Sequence, residues 1–236
     1  MNQDAATALQ AGRARQKEMI LMMIGKQIPY IAAVIVLIGT LWALVYAPGV
    51  MGAGQKHPAG SQIRVFIYHH FGMEDKYPST SVSVKQFRQH LRYFKENDYT
   101  VLPLGAALKR MSSGPSLPEK TAVITIDDGY ASIWENALPL LEKYGYKATI
   151  FVPTSHVGGS NYLNWEQIAR LQEKGHEIGN HSHSHAYFLN AAAGKIVDKF
   201  EADLKKANAL FRRHLGAIPD LYAYPFGEYH PGTFDV

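Results

Sequence analysis

Ala122-Val123-Ile124-Thr125-Ile126-Asp127-Asp128-Gly129 decides the fold: five residues with the apolar and β-branched character of a strand run straight into two acids and a glycine. Strands that are near-continuously apolar suit a parallel sheet covered on both faces. Five further runs share this character, at 63–68, 100–102, 148–152, 177–179 and 221–224, giving about six predicted strands. Between them, Val84, Phe87, Leu91 and Phe94 recur at helical spacing behind Ser83 as N-cap, and Val197, Phe200, Leu204, Ala207 and Phe211 repeat the pattern. A third helix is predicted from Trp165 to Lys174, with Asn164 as cap and Gly175 as stop. This βα alternation predicts an α/β fold, either a barrel or a doubly wound sheet.

In such folds reactive side chains collect where strands end and loops begin. Asp127 and Asp128 close one run, and His181-Ser182-His183-Ser184-His185 follows another, so residues more than fifty apart can meet at one mouth. Neighbouring aspartates on an extended backbone point in different directions, so one can ligate a cation while the other accepts a proton. Taken alone, Asp-Asp-Gly is also ordinary turn chemistry. His181 and His185 stand one helical turn apart. On an extended segment His183 would join them on one face, and the spacing leaves both arrangements open.

The 236 residues carry 47% hydrophobic and 19% charged side chains, enough for one substantial core and unlike a disordered chain. No cysteine is present, which excludes disulfides, thiolate ligands and a cysteine nucleophile and leaves imidazole, carboxylate and water as the metal donors. The formal charge of +4 is spread among acids rather than clustered with aromatics, which argues against nucleic-acid binding.

Residues 28–47 contain no charge and are numerous enough to cross about 30 Å of hydrocarbon as a helix. Tyr30, Trp42 and Tyr46 lie near the ends of this run, and Arg13, Arg15, Lys17 and Lys26 precede it. The expected organisation is a cytoplasmic tail at 1–27, a transmembrane helix at 28–47, a Gly- and Pro-rich linker at 48–61, and a periplasmic or extracytoplasmic domain at 62–236. A cleaved signal peptide is the competing expectation; the run is long for one and starts late.

With these motifs in this order, the region from Ile63 onward resembles the polysaccharide deacetylases, the NodB-homology domains of carbohydrate esterase family 4. The resemblance implies a deformed (β/α) barrel, with Asp127 as catalytic base and Asp128, His181 and His185 holding a divalent metal, usually zinc. It further implies that Ser182 orients its loop and that His183 is a spacer. A third motif, Ala223-Tyr224-Pro225-Phe226-Gly227, implies that the Phe226 backbone N–H helps stabilise the oxyanion. Many members carry an arginine where this chain has Ala223. The poly-N-acetylglucosamine deacetylase branch is similar to this chain there and at Tyr68-His69-His70.

The family pattern continues with further βα units and a late histidine acting as general acid, so the resemblance implies a C-terminally incomplete, truncated domain. His214 and His230 stand in no matching context, and no residue is assigned as general acid. The expected activity is removal of N-acetyl groups from an N-acetylglucosamine-containing polysaccharide, exopolysaccharide or peptidoglycan. Its rival is a catalytically defective glycan-binding or assembly module with the same fold, motivated by Ala223 and the missing histidine.

Overall fold

The computed structural model describes residues 62–112 and 116–236. The expected tail, membrane helix and linker lie outside the described residues, and among the described residues no helix is long and apolar enough to cross a membrane.

The sheet is parallel and has five strands: β1 (Gln62–Tyr68), β4 (Thr100–Val101), β5 (Lys120–Ile126), β6 (Thr149–Val152) and β7 (Glu177–Asn180). β5 is its centre. Its full length pairs with β1, while β4 pairs with its beginning at Thr121 and Ala122 and β6 with its end at Thr125 and Ile126. β7 then follows β6 from Thr149↔Glu177 to Val152↔Asn180. A separate pair, β2 (His70–Phe71) and β3 (Ser81–Val82), lies just after β1.

The predicted helices form where their caps dictate. α1 (Val84–Glu96) and α4 (Trp165–Glu173) each begin with a capping box, Ser83 with Gln86 and Asn164 with Gln167, which satisfies amides the helix itself leaves free. α5 (Ile196–Leu215) carries the second stripe and ends at Gly216. Two helices were not predicted, α2 (Leu104–Ser112) and α3, which opens with a π-helical turn at Ile133–Ala137 and continues over Leu138–Tyr144 with Pro139 in its first turn.

Successive residues of β5 face opposite sides, as strand geometry requires. Ala122, Ile124 and Ile126 join the large core with Phe87 and Leu91 of α1, Leu141 of α3, Ile168 of α4 and Phe211 of α5. Val123 joins a smaller cluster with Ala107 of α2 and Leu117. Both faces of β5 are therefore covered, whereas β1 at the sheet edge leaves Val65 and Ile67 exposed on one face.

The sixth predicted strand is a correction. Residues 221–224 contribute only one parallel bridge, Tyr222 with Asn180, made by Asn180 N donating to Leu221 O and Ala223 N donating to Asn180 O. Pro225 has no N–H to extend the ladder. The five strands of this parallel sheet thus end at β7, to which the short segment is tethered.

Candidate metal centre

The carboxyl ends of β5 and β7 place the two motifs side by side. Asp128 Oδ1 lies 3.3 Å from His181 Nε2 and 3.0 Å from His185 Nε2. Asp128 and His181 are buried, and the three ligand-type atoms all lie within 4.8 Å of one another. Donors about 2.1 Å from a tetrahedral ion would stand about 3.4 Å apart, so the spacing is that of a ligand set.

Three further features fit a divalent cation. Asp128 Oδ1 is buried without a hydrogen-bond partner, so neither imidazole contact is aligned as one, and an orphan carboxylate oxygen is costly unless something else binds it. His181 Nδ1 sits 2.8 Å from the Ala223 carbonyl; as a donor there it leaves the Nε2 lone pair toward Asp128, the arrangement of most metal-bound histidines. One hard oxygen and two imidazole nitrogens are also a common first-row donor set.

The local backbone explains how four positions converge. Among the described residues only Asp98, Asp128, Ser182, His185 and Phe226 are non-glycines with left-handed backbone, and four of these five surround this centre. Such conformations persist only where surrounding structure imposes them. The aspartates therefore diverge through a turn at Asp128, φ 69°, and not through strand alternation. Likewise the histidine segment is neither helix nor strand but a tight loop, turned at Ser182 (φ 74°) and His185 (φ 53°). His183 does not join the ligand atoms; its Nδ1 lies 2.9 Å from Thr154 Oγ1. Ser182 Oγ accepts from His185 N at 2.8 Å, tying the loop across its own turn.

Asp127 follows β5 directly, with its N–H donating to Tyr68 O at 2.9 Å. Burial pushes its carboxyl above the ordinary range, aided by Asp128, while the facing His181, His69 and His185 rings pull the other way. Asp128 is opposite in outcome: burial would raise it, but the His181 and His185 imidazoles outweigh that and hold it well below the usual carboxylate range. Adjacent carboxyls pushed apart in this way suit two roles, one proton acceptor and one permanent anion.

Phe226 lies at the rim with 61% of its surface exposed, its ring centroid 5.0 Å from that of His185 and 5.5 Å from Tyr187. Tyr187 in turn donates to Glu228. Tyr68-His69-His70 splits: His69 is near enough to lower the Asp127 carboxyl electrostatically, whereas His70 is buried, stacked between Tyr130 at 3.6 Å and Tyr77 at 4.0 Å. The two late histidines are engaged elsewhere, His214 stacked on Trp165 and His230 accepting from Gly232 N. Missed from the sequence were the Ala223 carbonyl and Asp203 of α5, whose carboxylate accepts from His183 N and Ser184 N.

A parallel sheet with an Asp-His-His cluster at its carboxyl edge has the donors and the spacing to hold a metal ion. The polysaccharide deacetylase family model matches residues 114–236, and the chain belongs to that family. It is 30% identical over 173 residues to the YxkH protein of Bacillus subtilis strain 168, covering 73% of this chain and 60% of that protein. It is also 30% identical over 172 residues to a poly-β-1,6-N-acetyl-D-glucosamine N-deacetylase of Staphylococcus aureus, covering 69% of this chain and 59% of that enzyme. The solved structure of IcaB from Ammonifex degensii superposes with a TM-score of 0.66 at 25% identity, covering 75% of this chain and 79% of that one. The chain thus spans about 60% of the length of the curated relatives it matches.

Proposed function

We propose that the protein is a metal-dependent hydrolase that removes N-acetyl groups from an N-acetylglucosamine-containing polysaccharide, with Asp128, His181 and His185 holding a divalent cation, zinc foremost. The observation that carries this is the convergence of those three donors around one point beside a free, partly buried carboxyl at Asp127. Membership of the polysaccharide deacetylase family supports the reaction, and the Staphylococcus aureus relative supports a β-1,6-linked polymer as the substrate class.

When bound, a divalent cation supplies Lewis-acid chemistry, polarising an amide carbonyl and acidifying water. Asp127 accepts the proton of the attacking water, a task for which its raised basicity suits it. The Phe226 backbone N–H donates to the oxyanion that develops on the acetamide carbonyl. Collapse breaks the carbon–nitrogen bond as the departing nitrogen takes up a proton from solvent and Asp127 gives up the one it accepted, releasing acetate and an amine that is cationic near neutral pH. His181 keeps its orientation through the Ala223 carbonyl, so the position that carries arginine in many members contributes here through its backbone. The exposed Phe226 ring beside the mouth offers an apolar face on which a sugar ring can rest.

The uncharged run at 28–47 is proposed as a membrane anchor holding the domain outside the cytoplasm. The non-catalytic rival is less favoured, because a module that only binds glycan has no need of an ionised aspartate facing two imidazoles. The test is acetate release from β-1,6- and β-1,4-linked N-acetylglucosamine oligomers and from peptidoglycan fragments, before chelation, after it, and after zinc is restored. The expected result is metal-dependent release with β-1,6 oligomers preferred. Polymer binding without release in the presence of zinc would instead establish the rival.

A further inference from the structure

We propose that Asp203, in the middle of α5, is a positioning residue that sets the shape of the 181–185 loop and through it the affinity of the centre for its cation. This rests on the reading that Asp128, His181 and His185 hold a metal.

The starting point is a full accounting of the loop's amides, since each buried N–H needs a partner. His181 N donates to Val152 O at 3.1 Å, a continuation of the β6–β7 ladder. Ser182 N donates to Asn180 Oδ1 at 2.8 Å and His185 N to Ser182 Oγ at 2.8 Å, both within the segment itself. The two amides between them go to one side chain: His183 N to Asp203 Oδ2 at 2.6 Å and Ser184 N to Asp203 Oδ1 at 3.0 Å. Among the described residues, Asp203 is the only side chain from outside 180–185 that accepts from these amides.

Only a carboxylate does this well. Two successive N–H groups need two acceptor oxygens on one planar group; an amide would turn its NH2 toward one of them and meet donor with donor. Charge-assisted bonds to backbone N–H are also stronger than neutral ones. Asp203 sits on the buried stripe of α5, between Phe200 and Ala207, with 8% of its surface exposed. A carboxylate on an otherwise apolar stripe costs desolvation, which marks it as held there by a task. Its task lies midway between the left-handed residues Ser182 and His185, so it clamps the part of the loop that aims the second imidazole. From the other side Thr154 N and Ser155 N donate to the carbonyls of Ser182 and His183, which leaves α5 and the end of β6 gripping the loop together.

The experiment titrates zinc into the full chain, reading affinity by calorimetry and geometry by the visible spectrum of the cobalt-substituted protein, for wild type, Asp203→Asn and Asp198→Asn. Asp198 is exposed in the first turn of the same helix and serves as control. Loss of a direct outer partner of a metal ligand typically weakens affinity about 10- to 100-fold; Asp203 acts one step further out, through the loop, so a drop of about tenfold is expected for Asp203→Asn alone, with an altered cobalt spectrum. Asp203→Asn binding within twofold of wild type would overturn the proposal while leaving the metal centre itself standing. Wild type binding no metal would overturn both. Should Asp203→Asn fail to fold, hydrogen exchange on wild type decides: slow exchange at the His183 and Ser184 amides supports the clamp, and exchange at the rate of an open loop refutes it.

Discussion

Gly179 lies on β7 directly opposite Phe151 of β6, two residues before His181, and the contact between them is tight enough to put a number on. A Cβ built on Gly179 would stand 2.3 Å from Phe151 Cδ1, 2.4 Å from Cε1 and 3.2 Å from Cγ, where carbon atoms prefer about 3.5–4.0 Å. Relief demands that the ring move by more than about 1 Å. It is 3% exposed, and interiors are close-packed, so little free volume is there to take it. Overpacking of this kind costs about 1–3 kcal/mol, and replacing glycine by alanine returns about 0.5 kcal/mol by restricting the unfolded chain. Gly179→Ala should therefore destabilise by about 1–2 kcal/mol, seen as a lower urea midpoint at unchanged slope. A double-mutant cycle isolates the cause. Phe151→Ala alone should cost about 3–5 kcal/mol, but on that background Gly179→Ala should be neutral or slightly stabilising, a coupling of about 1–3 kcal/mol. Equal cost of Gly179→Ala on both backgrounds, or none on wild type, would refute the account of this strand pair.

Two further outcomes follow. His176 is buried with its Nδ1 accepting from Ala148 N, and burial, helped by Lys147, pushes its pKa down to about 4 from an ordinary 6.5. Because the folded value lies below the unfolded one, its contribution is full above pH 6.5 and is lost as pH falls toward 4, where the unfolded chain takes up the proton first; between pH 7.5 and 5.0 this one residue should cost about 2 kcal/mol of stability in urea titrations, and His176→Gln should flatten that slope. Asp127→Asn should keep zinc affinity within a few-fold of wild type while acetate release falls about 10²- to 10⁴-fold, the range for loss of a proton acceptor; unchanged turnover would remove Asp127 from the mechanism.

The parts of the fold that the sequence announces are those whose causes are local. Ser83 and Asn164 sit one residue before their helices and three before a glutamine, so cap and helix can be read together. The central strands β5 and β6 are apolar because both their faces are covered, and that too is written in consecutive residues, whereas β1 keeps its apolar Val65 and Ile67 exposed. α2 escaped notice because its N-terminus is capped from far away: Leu104 N donates to Thr149 Oγ1 and Gly105 N to Glu177 Oε2, and no neighbouring side chain signals it. The sheet's last segment was over-read because Leu221 to Tyr224 has strand-like composition, whereas the pairing is cut short by Pro225.

At the centre, the donor residues were legible from their order and type, yet their arrangement was not. Asp128, Ser182 and His185 adopt left-handed backbone because the finished structure holds them there, so neither helical nor strand periodicity describes the loop. The Ala223 carbonyl is a backbone atom that any residue would supply, leaving no trace in composition. Asp203 did leave a trace, an acid on an apolar stripe, and such a position is the signal by which a loop-clamping carboxylate can be sought in other chains.

The central claim is met most directly by anomalous scattering at the zinc edge from crystals of the full chain grown with one equivalent of zinc. The account requires a single strong peak about 2.0–2.2 Å from Asp128 Oδ1 and from the Nε2 atoms of His181 and His185, with Asp127 beside it but not bound. Density for these three side chains with no peak between them at saturating zinc, or the ion seated on other residues, would contradict it.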